Sequence, residues 1–302
     1  MTLQLGGEAV VSVSVATLWK APDLTRPADE AALRVPVDIR AWVADLNDGD
    51  KAGEPERAVS QLLLGERVTV DQIDGDWVKV AALSQPSHLD PRGYPGWLHV
   101  GQLAAGSAAP ADGTDLMVDA SSTAVRDAPF GDILLYGVTI GTRLTGVGGT
   151  YRGWRQVLVP GQDEPGWVRA DDVVAAPDGE VSADDVLSVA ERIIDAPYVW
   201  GGMSAYGVDC SGLVHMSCRR HGITIPRDAG DQAEATKEIP IDEASPGDLY
   251  FFAHPDRKIH HVGLVAGERK MVNASQQHRR VVLESLEGER AETLVSAGRI
   301  LL

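Results

Sequence analysis

The spacing of hydrophobic and polar residues divides the chain into a β-rich front part and a back part with helical periodicity. Up to about residue 174, apolar and polar residues alternate over short runs bounded by Gly, Pro and Asp. This is typical of half-buried strands joined by turns. Beyond residue 182, apolar residues recur at helical spacing. The change near 174–179 therefore predicts a boundary between two kinds of structure.

The front part contains one pattern twice. Its first copy consists of SVSVATLWKAP, LLLGERVTV, GDWVKV and YPGWLHVGQL, and its second of SSTAVRDAP, LLYGVTIGT, RGWRQV and EPGWVRADDV. Six of the seven tryptophans lie in this part. They fit either a barrel core or a ligand-stacking surface, and for most of them the core is the better interpretation. The repeat predicts two copies of one small barrel.

In the back part, Ser182 to Asp185 predict a capping box for a helix that Pro197 ends. A Gly-rich loop then leads into a second helix from about Cys210 to His221, with Gly222 as its C-terminal cap. The runs LYFF, HVGLVAG, KMVNAS and VVLESL follow and predict strands. The back part is therefore expected to be a helical layer on an antiparallel sheet, which makes the fold class α+β.

Charge and composition exclude several kinds of partner. With 27 Lys and Arg against 44 Asp and Glu, the net charge is -17, which repels nucleic acid and anionic lipid. The N-terminal residues lack the pattern of a signal peptide, and no run of 18 apolar residues occurs. The two cysteines are poorly placed for a disulfide, and zinc-type spacing is absent. We expect a cytoplasmic protein with no metal, cofactor, nucleic acid or membrane partner.

Cys210 is the candidate nucleophile. It lies where a loop becomes a helix, and the positive end of the helix dipole there lowers the pKa of a thiol. Free cysteine is also a common buried hydrophobe, and Cys218, in the middle of the same helix, fits that role. Without partners, packing would be the better interpretation of Cys210 as well.

His261 is the candidate base. His215 and His221 lie on the helix of the cysteine and point away from its N-terminal end, while His254 and His278 lie in a turn and a polar connection. A thiolate nucleophile needs a base, and the base needs a third group that fixes its tautomer. The pair at 260 and 261 therefore remains.

The parity of strand residues chooses between the two. A hairpin with the three-residue loop Ala266-Gly267-Glu268 places His261 opposite Asn273, whose amide would orient the ring. His260 would face the other side of the sheet, opposite Ala274. A shift of one residue would reverse the choice, and asparagine near a strand end is also common at the surface.

Two resemblances extend this interpretation. The front part resembles a tandem of bacterial SH3-like domains, which gives predicted domains at 1–106, 107–176 and 177–302. In the last of these, DCSGL, GDLYFF, HVGLVAG and VNAS resemble the NlpC family of papain-like murein peptidases. The resemblance implies Cys210 as nucleophile, His261 as base and Asn273 as the orienting group. In many relatives the third residue is His.

The order of domains is similar to that of cytoplasmic γ-D-glutamyl-L-diamino acid endopeptidases that recycle cell-wall peptides with a free N-terminal L-Ala. The resemblance implies substrate contacts from these residues: Tyr198, Asp209, Ser211, Arg227, Asp228, Tyr94 and Glu66. Asp209 could pair with the ammonium group of the substrate or cap its helix. Arg227 and Asp228 could equally form a surface pair, and Tyr94 could be a packing residue.

The expected function is therefore hydrolysis of the γ-D-glutamyl–L-diamino acid bond in murein peptides. Two alternatives remain open from the sequence. One is a secreted or wall-associated murein hydrolase or amidase that acts on another substrate. The other is a peptide-binding module without catalysis, for which Cys210 would be dispensable.

Overall fold

The structure, a computed structural model, describes residues 2–48, 57–106, 113–177 and 179–302. The strands of the front part are β1 (Glu8–Val11), β2 (Val15–Trp19), β3 (Ala58–Leu63), β4 (Arg67–Asp74), β5 (Trp77–Ala82), β6 (Tyr94–His99), β7 (Leu103–Ala105), β8 (Thr114–Val118), β9 (Ser122–Arg126), β10 (Ile133–Thr139), β11 (Arg143–Tyr151), β12 (Trp154–Val157), β13 (Gly166–Arg169) and β14 (Val173–Ala175). Those of the back part are β15 (Met203–Ser204), β16 (Gly207–Val208), β17 (Lys237–Ile239), β18 (Leu249–Phe252), β19 (His261–Gly267), β20 (Lys270–Ser275), β21 (Arg280–Ser285) and β22 (Leu294–Arg299). The helices are α1 (Glu30–Leu33), α2 (Ile39–Asp48), α3 (Ala183–Glu191), α4 (Cys210–Arg220), α5 (Ala229–Ala235) and α6 (Glu289–Thr293).

The two front sheets have the same strand order. The first runs β3-β2-β6-β5-β4-β1-β7 and the second β10-β9-β13-β12-β11-β8-β14, so each strand of the second corresponds to the strand seven places earlier in the chain. The predicted repeat is confirmed. Among the described residues, the first and last strands of each sheet are not hydrogen-bonded to each other. Neither sheet therefore closes into a complete barrel.

Helix α2 was not predicted from the alternating pattern of the front part. It lies between β2 and β3 and packs Trp42 edge-on against Trp19, with ring centroids 6.1 Å apart. Both rings are buried in the first core, as predicted for most tryptophans. The indole N–H of Trp42 donates to the buried Asp29 carboxylate at 2.9 Å, which removes an unpaired donor from the core.

The back part is a six-stranded antiparallel sheet, in the order β17-β22-β18-β19-β20-β21, covered by α3 and α4. The predicted capping box forms, because the Ser182 hydroxyl accepts from the N–H of Asp185 and the Asp185 carboxylate accepts from the N–H of Ser182. Gly222 follows α4 with φ +76°, as expected of a C-terminal cap. The α+β fold class is confirmed.

The register of the β19–β20 hairpin differs from the prediction. The turn consists of two residues, Glu268 and Arg269, with φ 50° and 56°, rather than a three-residue loop centred on Gly267. Leu264 pairs with Val272, so Asn273 aligns with Gly263 and lies two positions from His261. Because the shift is two residues, both side chains remain on one face of the sheet.

Each of the three large sheets lies inside one of the predicted domains, while the exact boundaries stay predictions. The predicted boundary after residue 106 adjoins residues 107–112, which lie outside the described part of the chain. Among the described residues, none of the helices has both the length and the apolar character needed to cross a bilayer.

Candidate active site

Cys210 is the first residue of helix α4, and the preceding Asp209 caps that helix. The Asp209 carboxylate accepts from the N–H of Gly212 at 2.7 Å and from the N–H of Gly201 at 2.8 Å. The first N–H groups of a helix lack intrahelical acceptors. The local sequence therefore places the thiol at the N-terminal end of the helix, beside its first backbone N–H groups, as predicted.

The expected lowering of the Cys210 pKa is wrong. Burial of the side chain, together with the negative charge of Asp209, raises the pKa of the thiol to about 12. Hydrogen bonds from the backbone N–H groups of Val262 and Ser211 act in the opposite direction but do not outweigh burial. The sequence showed the helix end but not how deeply the thiol is buried.

His261 and Asn273 are paired as predicted. The His261 Nε2 atom lies 2.9 Å from Asn273 Oδ1, and both residues are buried. Gly263 leaves room for this diagonal contact between strands, because a Cβ atom there would lie 3.1 Å from the Cβ of Asn273 and 2.5 Å from the sulfur of Met271. Nδ1 remains as the ring nitrogen that can accept a proton.

Burial lowers the pKa of His261 to about 3. With the thiol pKa raised and the imidazole pKa lowered, the free enzyme holds a neutral thiol and a neutral imidazole near pH 7. A nucleophilic role for Cys210 would therefore require transfer of its proton to a base as the sulfur attacks, and His261 lines the same cleft. This differs from a preformed ion pair.

The remaining cysteine and histidines take other positions. Cys218 is fully buried in the core beneath α4, as expected for a packing residue. His260 stacks on His254, with ring centroids 4.6 Å apart, and both line the same cleft as His261. Neither has a partner comparable to Asn273 in the part of the chain that the structure describes.

Arg227 does not line the cleft, which corrects the predicted substrate contact. Its guanidinium is buried and donates two hydrogen bonds to the Asp209 carboxylate, at 3.0 and 2.7 Å, and one to the Ser211 hydroxyl, at 2.9 Å. From the first sheet, the Ser60 hydroxyl accepts from Nε of Arg227 at 3.0 Å. Asp209 and Ser211 both line the cleft, so a substrate contact from either stays a prediction. The Asp209 carboxylate already has Arg227 as its charged partner and also caps its helix, so it is not a free partner for an ammonium group.

Asp228 and Tyr94 meet across the cleft from different parts of the chain. The Tyr94 hydroxyl, on β6, lies 3.3 and 3.2 Å from the two carboxylate oxygens of Asp228. Burial raises the pKa of Asp228. The cleft has a volume of about 1630 Å³ and is also lined by Cys210, His261 and the buried Tyr198.

Glu66 lies away from this cleft, which corrects its prediction as a substrate contact. Its carboxylate is buried, accepts from the N–H of Leu63 at 3.0 Å and the hydroxyl of Ser84 at 2.8 Å, and forms an ion pair with Arg219 of α4. Glu66 therefore joins the first sheet to the back of the catalytic helix. The sequence offered no sign of the arginine that it meets.

Comparison with known proteins places this geometry in a family. Residues 195–299 match the model of the NlpC/P60 family. The chain is 34% identical over 277 residues to the gamma-D-glutamyl-L-lysine dipeptidyl-peptidase of Bacillus subtilis (strain 168), covering 90% of this chain and 92% of that protein. The chain belongs to the NlpC/P60 family. This confirms the recognition of the motifs and the predicted enzyme class, a cysteine peptidase.

A second sequence match and a crystal structure of the NlpC/P60 family also cover most of the chain. A second gamma-D-glutamyl-L-lysine dipeptidyl-peptidase, from Bacillus cereus (strain ATCC 10987 / NRS 248), is 33% identical over 91% of this chain and 85% of that protein. The crystal structure of an NlpC/P60 family protein from Bacillus cereus ATCC 10987 superposes with a TM-score of 0.86 at 30% identity, covering 98% of this chain and 100% of that chain. The similarity therefore includes the front sheets.

The NlpC/P60 cleft contains residues that the sequence did not single out. His88, on a turn of the first part, pairs with Asp231 of α5 through Nδ1 at 2.7 Å, and Trp97 and Trp200 also line the cleft. His88, Asp231 and Asp228 hold their ligand atoms within 4.8 Å of one another. The sequence around α5 is too short to show a helical pattern of apolar residues, so helix α5 was not predicted. Asp231 could therefore not be placed beside the cleft.

The buried histidines of this NlpC/P60 protein predict a loss of stability in acid. His215 of α4 is buried, which lowers its pKa from 6.5 to about 4. Because the folded pKa lies below the unfolded one, the stabilisation is complete above pH 6.5 and is lost as the pH falls toward 4. Between pH 7 and 5 this one residue should cost about 2 kcal/mol of unfolding free energy.

Urea titrations of the wild type and of His215→Gln at pH 5, 6 and 7 measure the effect. Other groups titrate in the same range, so the quantity of interest is the difference between the two proteins in their pH slopes. We expect a shallower slope for the variant. Equal slopes would show that folding does not lower the pKa of His215.

Proposed function

We propose that the chain hydrolyses the γ-D-glutamyl–L-diamino acid bond of murein-derived peptides whose N-terminal L-Ala is free. The observation that carries this proposal is the pair of Asp228 and Tyr94 at the wall of the cleft that holds Cys210. The Asp209 carboxylate already accepts from Arg227 and from two backbone N–H groups, whereas Asp228 has the neutral hydroxyl of Tyr94 as its hydrogen-bond partner. A half-buried carboxylate that faces the cleft is a fitting partner for an ammonium group.

The comparisons support the class of substrate. Both long relatives are named gamma-D-glutamyl-L-lysine dipeptidyl-peptidases, and this chain covers most of each of them. Release of a dipeptide requires that the enzyme recognise the end of the peptide. In this chain we assign the recognition to Asp228 and Tyr94, because residues of the first sheet, among them Trp97, line the cleft beside them.

The reaction follows from the placement of the three catalytic side chains. The Cys210 sulfur attacks the γ-carbonyl carbon while its proton moves to Nδ1 of His261. The N–H of Cys210 at the helix start stabilises the oxyanion, and His261 then protonates the leaving amine as the C–N bond breaks. Water then attacks the thioester carbonyl as His261 takes its proton. The C–S bond breaks to release the carboxylic acid, and His261 returns the proton to the sulfur of Cys210.

Asp228→Asn tests the recognition of the amine. We expect kcat/KM for L-Ala-γ-D-Glu-L-Lys to fall by about 100-fold, because the ammonium group loses a half-buried charged partner. The N-acetylated peptide, which lacks the ammonium group, should be a poor substrate of the wild type and should not become poorer in the variant. Product analysis by mass spectrometry at several substrate concentrations measures both values.

Two controls accompany this experiment. Asp256→Asn removes the same charge from an exposed turn outside the cleft and should leave both peptides unaffected. Tyr94→Phe should weaken cleavage of the free-amine peptide less than Asp228→Asn does. Equal cleavage of the blocked and unblocked peptides, or cleavage of intact murein, would contradict the proposal and favour a wall hydrolase.

The recycling role and the cytoplasmic location are part of the same proposal. Peptides with a free L-Ala arise only after the glycan has been removed from the stem, which suits an enzyme that acts on fragments. Cys210 and Cys218 are both unpaired, as expected in a reducing compartment. Cell fractionation with an antibody against the chain tests the location.

A further inference from the structure

A line of hydrogen bonds continues behind His261, beyond the three residues that carry the reaction. Asn273 accepts from the histidine through Oδ1, and its Nδ2 donates to Oε2 of Glu284 at 2.9 Å. Glu284 lies on β21, and its other oxygen, Oε1, accepts from Nε of Arg290 at 3.2 Å. The side chains of Glu284 and Arg290 are 13% and 17% exposed, so the line ends close to the surface but is mostly enclosed.

The carboxylate determines which way the Asn273 amide points. An amide can turn by 180° and present either its oxygen or its nitrogen, whereas a carboxylate can only accept hydrogen bonds. Glu284 therefore requires Nδ2 of Asn273 on its own side. The carbonyl oxygen of Asn273 must then face His261.

The orientation of the amide fixes the tautomer of the imidazole. Since Asn273 offers an acceptor to Nε2, that nitrogen must carry the proton of the neutral ring. Nδ1 is then left with its lone pair. In the opposite tautomer, Nδ1 would carry the proton and the ring could not take another from Cys210.

We propose that Glu284 is a positioning residue which, through Asn273, holds His261 in the tautomer that can accept the proton of Cys210. The turnover measurements below rest on the proposed function, because they need its peptide substrate. The assignment of the tautomer does not. Arg290 completes the arrangement, because its guanidinium binds the second oxygen of Glu284 and lies over the ring of Phe252, 5.5 Å from the centroid. Phe252 in turn contacts the His261 ring, with centroids 5.5 Å apart.

The arrangement matters because His261 is neutral in the free enzyme. A protonated imidazole would carry hydrogen on both nitrogens and would have no tautomer to select. Burial of His261 lowers its pKa to about 3, so the ring is neutral at the pH of the reaction and one of two tautomers must be chosen. A His in place of Asn273 could not transmit the choice in the same way, since it has its own tautomers.

Glu284→Met tests the proposal, because Met fills a similar volume but accepts no strong hydrogen bond. We expect kcat to fall by at least about tenfold, as is usual when a group that orients a catalytic side chain is lost. KM should change by less than about threefold, because Glu284 does not touch the substrate. Glu287→Gln removes the same charge from the adjacent exposed turn and should leave kcat unchanged.

The decisive readout is the tautomer itself. In protein labelled with ¹⁵N-histidine, long-range proton–nitrogen correlations show which ring nitrogen carries the proton, and His261→Gln identifies the signals. The wild type should show hydrogen on Nε2, and Glu284→Met should show a mixture or the other tautomer. This measurement needs no substrate, so it remains informative if the peptide proposed above is not cleaved.

A second variant covers the case in which Glu284→Met does not fold. Glu284→Gln keeps the shape but has one oxygen for two donors, Arg290 and Asn273, so we expect a smaller loss of kcat and a mixed tautomer. Alkylation of Cys210 by iodoacetamide should slow in the same order as kcat. If a folded variant at position 284 keeps the wild-type tautomer and turnover, Glu284 is a structural ion-pair residue and the proposal is overturned.

Discussion

Cys210→Ala should lower kcat by at least about 10⁴-fold, because the sulfur forms the covalent intermediate and no other side chain in the cleft can replace it. The folded state should be preserved, since alanine is smaller than cysteine and the site is already accessible from the cleft. Cleavage of L-Ala-γ-D-Glu-L-Lys, followed by mass spectrometry over hours, measures the residual rate. Circular dichroism confirms the fold.

Cys218→Ala is the matched control. Both cysteines lie on α4 and both are buried in one core cluster, but of the two only Cys210 lines the cleft. We expect the control to be somewhat less stable than the wild type. Its turnover should be unchanged. Turnover in Cys210→Ala equal to that of the control would contradict Cys210 as the nucleophile. Peptide binding without turnover in the wild type and in both variants would support the alternative of a binding module.

Arg227→Met should destabilise the fold by about 3–5 kcal/mol, because it leaves the buried Asp209 carboxylate without its charged partner. The same change removes the hydrogen bonds that hold Ser211 and Ser60. Denaturant titrations measure the loss. Turnover should fall as well, since Asp209 caps the helix that carries the nucleophile.

Arg143→Met is the comparison for this change. Arg143 pairs with Asp115, and the two side chains are 59% and 50% exposed. An exposed pair of this kind contributes less than about 1 kcal/mol. If the two variants lost similar amounts of stability, the buried network around Arg227 would not be the support that its geometry indicates.

The sequence predicted what depends on local pattern. The capping box at Ser182, the start of the catalytic helix at Cys210 and the strand that begins at His261 all lie where the periodicity and the cap residues place them. The duplicated strand order follows from the repeated motifs. These features are encoded within a few residues of where they occur, so they can be seen without knowing the rest of the fold.

The features that the sequence missed depend on distant contacts. The raised pKa of Cys210 comes from burial, and the role of Arg227 comes from Asp209 and from Ser60 of another sheet. The register of the β19–β20 hairpin was mispredicted because its turn is formed by Glu268 and Arg269. Both residues have the left-handed backbone conformation that glycine usually adopts. The contact of His261 with Asn273 nonetheless follows, because an even shift preserves the face.

The hydrogen bonds from the first sheet to the catalytic part limit how this enzyme can be shortened. Gln61 accepts from the N–H of Met203 through Oε1 at 2.9 Å, and the carbonyl of Pro86 accepts from the N–H of Arg227 at 3.1 Å. A fragment that starts at α3 would expose the buried guanidinium of Arg227 to solvent. It would also lack Tyr94, one of the two residues proposed to bind the substrate amine. Attempts to retarget the enzyme to other peptides should therefore keep the amino-terminal sheet intact and vary the turn that carries His88.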